Sequence, residues 1–403
     1  MPAEKSSGYR WVVLLAYSLG QAAMQILWVS FAPITGEAAA FYHVSPLQIG
    51  LLSLVFMVVY LFMSLPASWA IDTLGVKKGT GFGLVVMGLF GLVRGVWGEN
   101  FTVVTIATIF IAVAQPFVLN SVTALGARWF PVEERATAAG IAVLSQFIGI
   151  VLAMVMSPFL YIHLGAPGML KVYGLFAAGS AVVFLVLVKE RPAGAAAAAP
   201  PEERVQVWKG LKHIVKQRDM LILIAVMFIG LGIFNAVTTW IEQLIEPRGF
   251  SITQAGTLGA AMMLAGILGA LVVPLLSDRT RKRKVWVMAC LIGACPGLIG
   301  LTYAVDFIPL VLSGIVFGFF LLGGGPVIYQ YSAEICAPAP EATSQGLLLL
   351  AGQVSGILFI FGMDAFRSES GAMTPFMLLL IGLTAVNVIL SGLMKESGAA
   401  RRD

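Results

Sequence analysis

Charge is what this 403-residue chain has least of: Asp, Glu, Lys and Arg together make up 11% of it, against 59% hydrophobic residues. That leaves too little polar surface to solvate the two or three domains a soluble chain of this length would form. Cysteine is also scarce, and Cys290, Cys295 and Cys336 show neither metal-ligand nor redox spacing, so they read as packing residues. His43, His163 and His213 are scattered near the ends of apolar runs and gather into no ligand set, and neither a metal nor a cofactor is expected.

What is present is a series of apolar runs of about 20 residues or more, separated by short charged stretches, as required when helices must cross roughly 30 Å of hydrocarbon. The runs fall at 11–36, 46–70, 79–97, 101–127, 137–162 and 167–188, and then at 220–245, 252–277, 284–304, 308–332, 343–364 and 372–394. The fold class is therefore an all-α membrane protein with 12 transmembrane helices. The first run follows Lys5 and Arg10 and is too long for a signal-peptide core, so it reads as a retained helix.

Of the 25 Lys and Arg residues, only Arg94, Lys171, Arg248 and Arg367 fall away from the face that would hold the N-terminus. The positive-inside rule then places both termini in the cytoplasm, in an inner membrane. The net charge of +5 reports that topology and predicts no nucleic-acid partner; a basic cytoplasmic face also favours anionic lipid. Neither HExxH nor GxSxG occurs, nor a pair of intramembrane aspartates, which argues against a membrane enzyme.

The chain divides into an N-terminal bundle (1–188), a linker (189–219) and a C-terminal bundle (220–403). The linker opens with AGAAAAAPPEE and continues with Val205, Trp208, Leu211 and Val215 at helical spacing, so it holds either an interfacial helix or an ordinary solvated loop. The two bundles are related by an internal repeat. Asp72 in WAIDTLGVKKG finds its counterpart in Asp278 of LLSDRTRKRK, and Glu134 and Gly140 find theirs in Glu341 and Gly346. Six runs separate each pair, so the halves share an orientation, which implies a pseudo-twofold axis along the membrane normal.

The turn with Asp72, Gly75, Lys77 and Lys78, and its glycine-free version from Asp278 and Arg279 to Lys284, resembles the loop pattern of the major facilitator superfamily. The resemblance implies a transporter whose solute moves by alternating access as two six-helix bundles rock. It also implies that both turns gate it, with Asp72 and Asp278 expected to clamp the outward-open state against helix N-termini.

Deep polar residues mark a solute path, because lipid penalises them elsewhere. Gln146 in the fifth run and Gln353 in the eleventh are repeat counterparts. Gln21, Gln25 and Trp28 share a helical face in the first run, and Asn235, Thr238, Thr239 and Glu242 share one in the seventh. Glu242 is the acidic candidate for coupling, although it lies near the outer end of its run. Arg94, Lys171, Asp364 and Arg367 also lie near outer ends, where snorkelling or ion pairing is expected of them. With no titratable group at mid-depth, facilitated diffusion is favoured over proton coupling.

Residues 114–150, with their WFP and ERATA elements, and residues 341–359 are similar to the feline leukaemia virus subgroup C receptor family, which includes carriers of choline and ethanolamine. That resemblance assigns a solute site to Trp28, Gln146 and Gln353. It departs at Asn235, where the family has an aromatic residue, and leaves Trp240, Tyr329 or Tyr331 as candidates for the missing wall. The expected solute is a small organic cation or amino alcohol, carried by a monomer. The alternative is another metabolite or a drug, imported or exported, with proton coupling through Glu242.

Overall fold

The computed structural model describes residues 8–189, 216–336, 341–369 and 371–396, and every regular element among them is helical. The interfacial-helix expectation within the linker lies outside the described residues. The chain packs as two compact units, Met1–Ala198 and Ala199–Asp403.

Unit 1 contains α1 (Tyr9–Val29), α2 (Thr35–Tyr42), α3 (Pro46–Leu74), α4 (Val76–Val96), α5 (Phe101–Leu119), α6 (Ser121–Trp129) and α7 (Val132–Leu187). Unit 2 contains α8 (Arg218–Thr239), α9 (Ile241–Ile245), α10 (Ile252–Thr280), α11 (Arg283–Tyr303), α12 (Phe307–Cys336), α13 (Glu341–Ala365) and α14 (Thr374–Gly392). Eleven described stretches are long and apolar enough to cross a membrane. One of them covers Thr137–Leu187, and its 51 residues would extend about 77 Å as a single rod, far more than one crossing needs. It breaks at Gly165, whose φ of 68° is left-handed, so α7 holds two legs and the crossings among the described residues number twelve.

Both units pair their helices in the same order. In unit 1, α1 lies along the first leg of α7, α3 along α5, and α4 along the second leg of α7; in unit 2 the corresponding pairs are α8 with α13, α10 with α12, and α11 with α14. The repeat read from Asp72, Asp278 and their companions is therefore also a repeat of packing. Gly149 sets the closest approach in the first of these pairs, because a Cβ there would strike the backbone of Ala22.

The structure departs from the predicted runs where a helix changes direction. The first run stops at Val29, passes through a 3-10 turn at Ala32–Ile34, and resumes as α2. The cause is local: Pro33 has no N–H to continue the ladder, and the Leu27 carbonyl is taken by Ser30 Oγ (3.1 Å) and by Arg94 Nη1 (3.0 Å). Arg94 thus corrects the snorkelling expectation. It is 1% exposed, its Nη2 donates to Ser30 Oγ at 2.7 Å, and its guanidinium lies 4.8 Å from the Phe31 ring centroid. The end of α1, with its partial negative charge, holds this cation in place.

Arg248 does the same in unit 2. Its Nη1 donates to Ala304 O (2.7 Å) and its Nη2 to Leu301 O (2.8 Å), closing the C-terminus of α11. The fourth run likewise divides, at Asn120 between α5 and α6, and the seventh divides at Trp240 between α8 and α9.

Two outcomes are expected. Gly149→Val forces the α1 and α7 backbones apart and lowers stability by about 2 kcal/mol or more, while Gly179→Val, with open space around it, leaves thermal unfolding nearly unchanged. Arg94→Lys cannot reproduce the two-pronged grip on Leu27 and Ser30, so it unfolds at lower temperature than the wild type. Equal melting of either pair in detergent would contradict the packing described.

Candidate functional site

The deep amides predicted in the N-terminal half meet in the seam between α1 and the first leg of α7. Gln25, 5% exposed, donates from Nε2 to Gln146 Oε1 at 3.3 Å. Gln146 lies three residues before Gly149, so the residue that lets the helices touch also sets the reach of the amide. Gln25 Oε1 is buried and accepts no hydrogen bond from any described residue. A buried acceptor left unpaired is costly, which makes it a site for a donor arriving from elsewhere.

Trp28 lies one helical turn beyond Gln25. Its Nε1 donates to Ser53 O (3.2 Å), and Ser53 Oγ donates back to Trp28 O (3.3 Å), so the indole is tied at its edge to α3. The ring is half-buried, and its polar atom is already engaged. Gln21 was expected on the same face, but it turns away: it is fully buried and donates to Tyr17 Oη and to Val118 O of α5.

In unit 2 the equivalent seam lies between α8 and α13. Asn235, 8% exposed, donates from Nδ2 to Gly352 O at 3.5 Å, and the next residue in α13, Gln353, is half-buried. Gln353 makes no hydrogen bond among the described residues, which leaves its amide available. Gly232 plays the part of Gly149 here, because a Cβ on it would meet Ser355 and Phe359 of α13.

Three aromatic candidates fare differently. Trp240 is fully buried, and its Nε1 donates to Ile360 O at 3.0 Å, so it is a strut between α8 and α13 and offers no open ring to a solute. Tyr331 is also fully buried, donating to Lys395 O and to Asp219 Oδ2. Tyr329 is half-buried on α12 and packs against the core shared by α8, α11 and α12.

Glu242 is 3% exposed on the short α9 and belongs to a polar cluster that was not legible in the sequence. Gln243 is its organiser. Gln243 Nε2 donates to Glu242 Oε2 (2.8 Å) and Glu246 Oε2 (3.1 Å), while its Oε1 accepts from Arg367 Nη1 (2.8 Å). Arg367 also pairs with Asp364 at 3.4 Å, as expected near an outer end, and its guanidinium lies 5.6 Å from the Trp240 ring centroid. A single amide therefore joins the end of α13 to the end of α8 and α9. The concentration of polar residues in EQLIEPR, next to the helix break, was the signal for it.

A second unforeseen cluster joins α3 to the break after α5. Tyr60 Oη donates to Asn120 Oδ1 (2.9 Å), and Asn120 Nδ2 reaches Ser64 Oγ (3.1 Å) and Ser68 Oγ (3.0 Å). The i, i+4, i+8 spacing of Tyr60, Ser64 and Ser68 was its sequence signature.

The two predicted gating turns are built differently. Between α3 and α4 the chain turns on Gly75 alone, at φ 93°, with Asp72 and Lys78 exposed and Lys77 half-buried. Between α10 and α11 the left-handed position falls to Arg281 at φ 52°. There Arg279 is exposed, and Arg283 holds the turn, pairing with Asp278 (2.5 Å) and Glu334 (3.0 Å) within its own unit. Arg283 thus joins Arg279 as a basic residue of that turn. In unit 1, Arg10 pairs with Glu134 at 2.8 Å, joining the start of α1 to the start of α7.

Comparison with known proteins agrees with this architecture. Solute carrier family 49 member A3 of Xenopus tropicalis is 30% identical over 375 residues, covering 87% of this chain and 76% of that protein. The choline/ethanolamine transporter FLVCR1 of Felis catus is 28% identical over 417 residues, covering 98% of this chain and 74% of its own. Among solved structures, a bacterial homologue of the human lysosomal transporter Spinster, inward-facing and unoccupied, superposes with a TM-score of 0.79 at 16% identity, covering 98% of each chain. A family model of the Major Facilitator Superfamily matches residues 13–360, most of the twelve-crossing framework with both amide seams, and the chain belongs to that superfamily.

Proposed function

We propose that this facilitator-fold membrane transporter carries a small organic cation or amino alcohol, of the kind typified by choline and ethanolamine, by alternating access. The observation that carries the reading is the seam of Gln25, Gln146 and Trp28: a buried amide with one unpaired oxygen beside an indole fixed by its edge. An ammonium group is attracted to an indole face through the ring quadrupole. The hydroxyl of an amino alcohol, or an N–H of a primary amine, would supply the donor that Gln25 Oε1 lacks. Gln353 and Asn235 are the corresponding neutral amides of the other repeat.

Two further facts favour a cation over an anion. The buried cation of unit 1, Arg94, is occupied with Leu27, Ser30 and Phe31, so its grip is structural. Relatives at 27–28% identity across 98% of this chain are named as choline/ethanolamine transporters. With Trp240 and Tyr331 committed to packing, the cation is held by Trp28 as its aromatic partner, and Tyr329 remains the half-buried aromatic candidate of unit 2. Asp72, Gly75, Lys77, Lys78, Asp278 and Arg279 form the gating turns, with Arg283 holding the second. The chain works as a monomer with both termini in the cytoplasm of a cell bounded by an inner membrane.

Proton coupling through Glu242 is the second reading, favoured by its burial within the Gln243 and Arg367 cluster. The same cluster also acts as a tie between helix ends, which needs no proton movement and agrees with facilitated diffusion.

Reconstituted in proteoliposomes, the wild type should take up radiolabelled choline or ethanolamine saturably. Trp28→Ala should raise KM by roughly 30-fold, as expected for loss of a desolvated cation–π contact of about 2 kcal/mol, while Trp28→Phe retains part of the affinity. Gln146→Ala and Gln353→Ala should each raise KM several-fold, the cost of one neutral hydrogen bond. Unaltered KM in all three alanine variants would refute the site. For coupling, an imposed pH gradient should drive no accumulation, and Glu242→Gln should retain downhill uptake. Gradient-driven accumulation abolished by Glu242→Gln would instead establish the second reading.

A further inference from the structure

Unit 1 has a groove on its membrane-exposed surface whose apolar walls no part of the solute reading uses. It runs between the start of α4 and the end of the second leg of α7 and encloses about 440 Å³, lined by Lys77, Lys78, Gly81, Phe82, Val85 and Leu185. Its chemistry is divided along its length. Lys77 and Lys78 stand in the first turn of α4, at the end of the crossing, and below them the walls are apolar.

The apolar part is open: Phe82 is 54% exposed, Val85 44% and Leu185 37%. They lie within membrane-crossing stretches, so their exposed surfaces face acyl chains and not water. Gly81 forms the floor. A Cβ there would come within 3.1 Å of Leu185 Cδ2, so the missing side chain gives the groove its depth. From Lys78 to Val85 the helix rises about 10 Å, the distance from a headgroup into the upper acyl region.

We propose that this groove binds one phospholipid with an anionic headgroup, its phosphate at Lys77 and Lys78 and an acyl chain along Phe82, Val85 and Leu185. Charge complementarity selects the occupant: a cationic end at the membrane boundary and an apolar trough continuing into the hydrocarbon match a molecule with one anionic end and a long apolar body. A free phosphate would use only the lysines, and a neutral lipid only the trough. The site is independent of the solute seam, since no residue is shared with Gln25, Trp28 or Gln146.

The test is lipid binding to the purified full-length chain in neutral detergent, followed by native mass spectrometry and by thermal shift. Phosphatidylglycerol should bind saturably and raise the melting temperature, whereas phosphatidylcholine and inorganic phosphate should not. Neutralising both lysines as Lys77→Gln and Lys78→Gln should weaken phosphatidylglycerol by roughly 30-fold, about fivefold per lysine. Val85→Trp fills the trough while leaving both charges, and should weaken it as well; Lys282→Gln, a basic residue on the other unit, should not. Lys78→Gln alone changes an exposed side chain and provides the reading should the double variant fold poorly. The proposal is overturned if phosphatidylcholine binds equally, if the lysine variants bind as the wild type does, or if Val85→Trp leaves affinity unchanged, which would reduce the effect to diffuse surface attraction.

Discussion

Within hydrocarbon, every backbone N–H and C=O must find its partner inside the protein, and this rule governs where the chain can bend. Unbroken helix satisfies it automatically. An interruption exposes carbonyls, and two helix ends meet theirs with specific side chains: Arg94 and Ser30 at the end of α1, and Arg248 at the end of α11. The buried polar side chains of this chain are few, and several are committed to such carbonyls or to other helices. What remains uncommitted is accordingly informative.

That distinction separates the solute seam from its surroundings. Gln21 and Gln25 are one turn apart on the same helix and each leaves its amide oxygen unpaired, yet the Nε2 of Gln21 is spent on Tyr17 and Val118 of its surroundings, whereas that of Gln25 meets Gln146, the deep amide of the neighbouring helix. Trp28 and Trp240 differ in the same way: both indole N–H groups bind a carbonyl, but only Trp28 retains an accessible ring. Both units solve the close approach of their first and fifth crossings with a small residue, at Gly149 and at Gly232, and place an amide nearby. The symmetry of the repeat is therefore carried by packing as well as by composition.

The crossings and their repeat were legible in the sequence because hydrophobic length and recurring polar turns are properties of short, contiguous stretches. The pairing of Gln25 with Gln146 was approachable too, since the repeat offset and one helical face pointed to the same seam. Arg94 was misread as a snorkelling residue because its neighbours in space, Leu27 and Ser30, lie more than sixty positions away in the chain. Trp240 was misread for the same reason, its partner being Ile360. The Gln243 bridge escaped notice because its partner across the cluster, Arg367, lies 124 positions away in the chain.

Gly165 carries a consequence of its own. Because the two legs of α7 meet at one left-handed residue, with helix on either side, almost no extended backbone is presented at that rim. A protease needs several residues of pliable strand to thread its cleft, and an antibody needs a protruding loop to grasp. That edge of the protein should consequently resist limited proteolysis and be a poor place for an epitope tag, while the glycine itself tolerates no residue that prefers negative φ.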